Sequence, residues 1–154
     1  MSGMTLKCSN VNSGNGVWLV GATCKIVWKN LIKADPIPGK YDTVEIDKGG
    51  WENPTYHIEG VIDADSTGGT TTVNNESTCS EVTQSLLQNF AKETANAIWL
   101  KIGVGASATP VYISGANTTS NAIKVVVDNF NIDIDPESEL GHLLNYTLDL
   151  VETQ

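Results

Sequence analysis

The chain has 154 residues, enough for one domain whose core needs neither metal nor disulfide staples. Nine basic against eighteen acidic residues leave a formal charge of −9. This excludes nucleic acid as a tightly held partner, since phosphate contacts need clustered Lys and Arg, but it suits a surface that nucleic acid passes without sticking, and it suits plain solubility. Cys8, Cys24 and Cys79 are widely spaced and form no Cys-x-x-Cys, so neither a zinc nor a redox motif is signalled. Cys24, in an apolar run, reads as a small buried hydrophobe. The N-terminus has no apolar core of a secretory signal. The longest apolar stretch, Val17 to Trp28, is interrupted by Thr23, Cys24 and Lys25 and is too short to span a bilayer, so no membrane partner is expected.

Residues 1–16 are polar and contain Gly14 and Gly16, and they read as a flexible arm ahead of a single domain over 17–154. Val17 to Trp28 is β-branched and aromatic, a strand with a possible bend at Gly21. Asp35-Pro-Ile-Pro-Gly39 reads as a loop, because two prolines oppose a ladder. Tyr41 to Asp47 alternates as a short strand, ended by Gly49-Gly50. Thr55 to Asp63 alternates cleanly. Tyr56, Ile58, Gly60 and Ile62 share one face, and Thr55, His57, Glu59, Val61 and Asp63 share the other. Asp65 to Asn75 reads as loop. Residues 78–94 read as the one helix, with Thr78 and Glu81 as a capping box and Val82, Leu86, Leu87, Phe90 and Ala91 as the apolar stripe.

Ala97 to Val104 returns to strand, with Ile98, Leu100, Ile102 and Val104 on one face, and Val111 to Ser114 is another short strand. Two long strands follow. Lys124 to Asp135 places Val126, Asp128, Phe130, Ile132 and Ile134 on one parity, and Asn129, Asn131, Asp133 and Asp135 on the other. Leu144 to Glu152 places Leu144, Tyr146, Leu148 and Leu150 against Asn145, Thr147 and Asp149. Each run packs one face on a core and shows an acidic or polar face to water. The expected fold is mainly β with one α-helix: an antiparallel β-sandwich or barrel with a flanking helix.

No constellation points to catalysis, and no enzyme activity or cofactor is expected. His57 and His142, the only histidines, sit in no nucleophile–base motif. Asp133 and Asp135 share a strand face, which is more simply a charged surface than an acid–base pair. Asp63-Ala-Asp-Ser-Thr-Gly68 has the opening of a calcium loop, but Asn74 stands where the closing Glu belongs and no helix enters it, so no metal is assigned. Trp18, Trp28, Trp51 and Trp99 invite a carbohydrate reading, with core or interface packing the stronger account.

Gly50-Trp-Glu-Asn-Pro-Thr-Tyr-His-Ile-Glu-Gly60 resembles a segment of several tail-tube proteins of tailed viruses, in which a Gly-rich loop leads into a strand closing on Gly. Gly141-His-Leu-Leu-Asn-Tyr-Thr-Leu-Asp-Leu-Val-Glu-Thr153 is similar to their final strand, and the order strands, helix, strands agrees. The resemblance implies a structural virion protein of a bacteriophage or archaeal virus, made in the host cytoplasm. Its subunits would form hexameric rings stacked into a tube, contacting one another, other tail proteins and the passing viral DNA. Asn131, Asp133, Asn145, Thr147 and Asp149 are the candidates to line the lumen, with Asp128 on the opposite parity a weaker one. The stacking arm of such proteins would fall in residues 1–16 or 64–77, and the loops at Asp35–Gly39, Asp65–Asn75 and Ala106–Pro110 would serve ring-to-ring contacts. A terminator or completion protein that forms unstacked rings is one alternative, and a β-sandwich carbohydrate-binding module is another.

Overall fold

The computed structural model describes residues 3–36, 44–65, 68–104, 109–110, 118–119 and 122–153. The described chain is mainly β with one helix, and its main sheet curls into a half-barrel. The strands are β1 (Met4–Lys7), β2 (Val17–Trp18), β3 (Thr23–Val27), β4 (Asn30–Pro36), β5 (Val44–Trp51), β6 (Thr55–Asp63), β7 (Thr70–Val73) and β8 (Glu76–Glu81). After helix α1 (Gln84–Lys92) come β9 (Ile98–Val104), β10 (Thr109–Pro110), β11 (Thr118–Thr119), β12 (Ala122–Asp133) and β13 (Leu143–Glu152). The sheet order is β3-β6-β13-β12-β9-β1-β2-β8-β7, with β10 on β9 and β11 on β12. Among the described residues, β4 and β5 pair with each other as a separate two-stranded ribbon.

The alternation of β6 and β13 is realised as the sequence implies. Tyr56, Ile58, Ile62, Leu144, Tyr146, Leu148 and Leu150 are buried in one core. β13 is hydrogen-bonded on both sides, to β6 from Leu143↔Asp63 to Val151↔Thr55 and to β12 from Val125↔Glu152 to Asp133↔Asn145. The β9 face also matches, with Ile98 and Leu100 buried and Ile102 packed at the core margin. Tyr146 lies opposite Gly60, and its ring fills the place of the missing side chain. Burial there pushes the phenol up to about 12.

Several expectations give way. Residues 4–7 are not an arm: β1 sits inside the sheet between β9 and β2, and Met4, Thr5 and Leu6 are all buried. Only the short run Met4-Thr-Leu could have signalled it. The stretch 17–28 is two strands. Gly21, at φ +64°, turns the chain, so β2 pairs with β1 and β8 while β3 pairs with β6. β4 runs through Asp35 and Pro36, and β5 runs through Gly49-Gly50, where a register shift opposite Leu31 and Ile32 absorbs the extra residue. Part of the 65–75 loop is β7, which turns into β8 through Asn74 and Asn75, both at positive φ. Asn74 is buried, and its side chain clasps the Gly3 backbone, accepting from the Gly3 N–H at 3.1 Å and donating to the Gly3 carbonyl at 2.8 Å. The strand expected over 111–114 lies outside the described residues.

The helix is shorter than its sequence signal. Residues 76–81 form β8, where Cys79 is fully buried, and the exposed Thr78 hydroxyl donates to Asn15 Oδ1 at 3.2 Å. Thr83 is the N-cap instead, and its hydroxyl accepts from the Leu86 N–H at 3.2 Å. The capping box favours Thr78, since Glu81 stands three residues on, whereas Leu86 stands there for Thr83; parallel pairing of β8 with β2 overrides that signal. Leu87 and Phe90 are fully buried, Leu86 lies at the margin, Ala91 is exposed, and α1 packs on β12.

Thr83→Ala should cost about 1 kcal/mol of unfolding free energy and Phe90→Ala about 3–5 kcal/mol, whereas Thr78→Ala should change little. Denaturant titration checks all three. In Gly60→Ala a Cβ would meet Tyr146 Oη at 2.6 Å and Cζ at 2.7 Å. Because that ring is enclosed, the substitution should destabilise by about 1–3 kcal/mol, and Gly60→Ala combined with Tyr146→Phe should not recover it fully.

Candidate functional site

The registers of β3, β6, β13 and β12 place their outward side chains in rows across the sheet. The first row is Val27, Thr55, Val151 and Val126. The second is Lys25, His57, Asp149 and Asn129, and the third is Thr23, Glu59, Thr147 and Asn131. The fourth is Val61, Asn145 and Asp133. All five sequence-derived candidates, Asn131, Asp133, Asn145, Thr147 and Asp149, therefore lie on one continuous face opposite the core. Asn131 Nδ2 donates to Thr147 Oγ1 at 3.4 Å across the third row.

Asp128 reaches solvent for a different reason. The β12–β13 register shifts between Val127 and Asn129, so Asp128 is the bulged residue. Upstream of it Ile123, Val125 and Val127 face the core; downstream Phe130 and Ile132 do. Val126, expected on the apolar face, is 50% exposed on the outer one. The bulge is written in the sequence as an apolar phase that steps from odd to even positions between Val127 and Phe130. The strand ends at Asp133, so Ile134 and Asp135 lie beyond it.

Strand register also assembles a titratable network that the sequence reading leaves apart. His57 stands opposite Asp149 and two residues from Glu59 on the same face. Its Nδ1 meets an Asp149 oxygen, and its Nε2 lies 3.0 Å from Glu59 Oε1. The hydrogen bond to Asp149, then that to Glu59, raise the His57 pKa above its ordinary 6.5. The Glu59 pairing was legible as an i, i+2 neighbour on a strand; the Asp149 partner was not. Lys25 stands across from His57 on β3. The face thus carries Glu59, Asp133 and Asp149 against Lys25 and a histidine whose charge depends on pH.

The other singled-out residues do not join this face as a reactive centre. Trp18 lies on β2 and Trp28 just beyond the end of β3, so the two do not share one strand as the sequence implied. The Asp63–Gly68 segment follows a strand, not a helix, and the Asp65 N–H donates to Asp63 Oδ1 at 3.0 Å. Cys8 and Cys79 are buried and all three cysteines are free thiols.

No family model matches the chain, and no curated protein matches it. Among solved structures it is similar to a chain in the cryo-EM structure of the anti-feeding prophage (AFP) baseplate, six-fold symmetrised. The alignment covers 98% of this chain and 87% of that one at 10% identity, with a TM-score of 0.51. At identity this low, the likeness shows a shared fold alone.

Because His57 gains its partners on folding, its raised pKa stabilises the fold at low pH, fully so below the unfolded-state value, and the contribution is lost as pH rises through the folded value. In an NMR titration the His57 ring should protonate above 6.5, and Asp149→Asn should lower its midpoint more than Glu59→Gln does.

Proposed function

We propose that this chain is a non-enzymatic structural component of a phage-type tail, a tube subunit that assembles into hexameric rings stacked around an acidic lumen. The observation that carries the reading is the single polar face spread over β3, β6, β13 and β12, with carboxylates and amides in register and no reactive centre on it. The shared fold with a chain of a six-fold symmetrised prophage baseplate supports both the tail setting and the ring number. Six copies would turn Asp133, Asp149 and Glu59 into rings of negative charge, each repelling phosphate over about 8–10 Å at physiological salt. DNA would then pass without being held.

The same face offers means of self-contact. β3 ends the strand order and has an open edge among the described residues, suited to pairing with a neighbouring subunit. The Val27–Val151–Val126 row, with Trp28 beside it at 45% exposure, is an apolar margin that association would cover. The β4–β5 ribbon, which among the described residues pairs with no strand of the main sheet, is better suited to stack one ring on the next than residues 1–16, part of which is locked inside the sheet, or residues 64–77, part of which is the β7–β8 hairpin. The baseplate origin of the similar structure gives weight to a second reading, a ring-forming component at the end of a tube.

Light scattering and negative-stain microscopy of the purified protein separate these. Stacked rings with the β6–β13 face lining the bore are expected. Single unstacked rings would favour the end component, and a monomer at high concentration would overturn both. Asp133→Lys is the cleaner charge reversal, since Asp149 is engaged by His57. It should leave thermal unfolding within about 0.5 kcal/mol of the parent, as for exposed surface positions generally, while slowing genome release from assembled particles.

A further inference from the structure

At the far end of the β6–β13 pair, beyond the acidic rows, Asp63, Asp65 and His142 converge. Asp63 ends β6, Asp65 lies in the turn that follows, and His142 immediately precedes β13. Pairing of Leu143 with Asp63 and a 2.7 Å hydrogen bond from the Ala64 N–H to the His142 carbonyl bring the two segments together. One ligand atom from each side chain, two carboxylate oxygens and an imidazole nitrogen, lies within 4.8 Å of the other two. Tetrahedral ligands held about 2.1 Å from one ion stand about 3.4 Å apart, so a side-chain adjustment of at most about 1.4 Å closes the set on a common centre. Asp63 and Asp65 are exposed and His142 is half-buried; Asp63 Oδ1 also accepts from the Asp65 N–H at 3.0 Å, a bond that a metal-bound carboxylate can keep.

We propose that Asp63, Asp65 and His142 bind a divalent cation of the zinc type, which pins the turn after β6 to the segment entering β13. The ligand chemistry selects the class. A neutral imidazole with two carboxylates suits zinc and its neighbours, whereas calcium and magnesium take oxygen ligands throughout. Three protein ligands leave a position open to water. The second histidine provides a contrast. His57 also has two carboxylates, but they meet opposite nitrogens of its ring, so they bracket the imidazole and share no point with it where an ion could sit. The thiols do not compete well: Cys8 and Cys79 are buried, and burial pushes the Cys24 thiol up to about 11, which keeps it protonated at neutral pH. The site is independent of the tube reading and stands whether or not rings form.

The test is titration of the full-length chain with zinc chloride, followed by calorimetry and by NMR of residues 63–65 and the His142 ring. Saturable binding with shifts centred on those residues, and a higher melting temperature in excess zinc, are expected. Loss of an outer-shell partner alone costs a metal site about 10–100-fold, so Asp65→Asn and His142→Ala should each weaken zinc at least about tenfold. His57→Ala should leave the affinity unchanged, and calcium should bind far more weakly than zinc. Shifts elsewhere, binding that survives His142→Ala, or binding lost in His57→Ala or Cys24→Ser would overturn the proposal. The parent-chain NMR shifts decide it even if a variant fails to fold.

Discussion

The structure depends on one strand being paired on both sides. β13 exchanges hydrogen bonds with β6 along its whole length and with β12 along most of its own. Its alternation of Leu144, Tyr146, Leu148 and Leu150 with polar residues then dictates which face of its neighbours is core. A slip of one residue in either register would turn four large apolar side chains out to water and bring Asn145, Thr147 and Asp149 inward, at a cost of several kcal/mol. Tyr146 against Gly60 fixes the β6 register further, because only position 60 has room for the ring.

β12 meets that constraint by carrying a bulge. Its upstream half is anchored to β9 through Ile123 and Val125, and its downstream half to β13 through Phe130 and Ile132, and the two apolar sets have opposite parity. Placing the extra residue at Asp128 lets both halves face the core and puts a charged side chain where the ladder opens, a tolerated position for one. The bulge also increases local twist, in keeping with the curl of the sheet. Because of it, Asn129, Asn131 and Asp133 join the β13 and β6 polar residues on one surface.

That surface draws its character from what it lacks as much as from what it has. Its carboxylates are spread over three strands, partnered by amides, hydroxyls and one histidine, with Lys25 the facing cation in the His57 row. Negative charge spread over a surface repels a polyanion along a path, whereas negative groups converging on one point favour a cation. Among the described residues, potential ligand groups converge at the end of the β6–β13 pair, where Asp63, Asp65 and His142 come from two segments far apart in the chain.

Much of this was legible before folding. The faces of β6, β9 and β13, the existence of one helix with Leu87 and Phe90 beneath it, and the outward position of Asn131, Asp133, Asn145, Thr147 and Asp149 follow from side-chain period, which is a local property of the backbone. What the sequence did not reveal depends on partners distant in the chain. Met4-Thr-Leu is too short to show a period, and it is a strand because β9 and β2 offer it ladders on both sides. The capping box of Thr78 and Glu81 gives way to Thr83 once β2 claims residues 80 and 81. Asp149 becomes the partner of His57, and His142 the neighbour of Asp63 and Asp65, only through the β6–β13 register. Period is set by bond geometry within a few residues; pairing is set by burial and hydrogen bonding summed over the whole sheet, and those the tertiary structure alone decides.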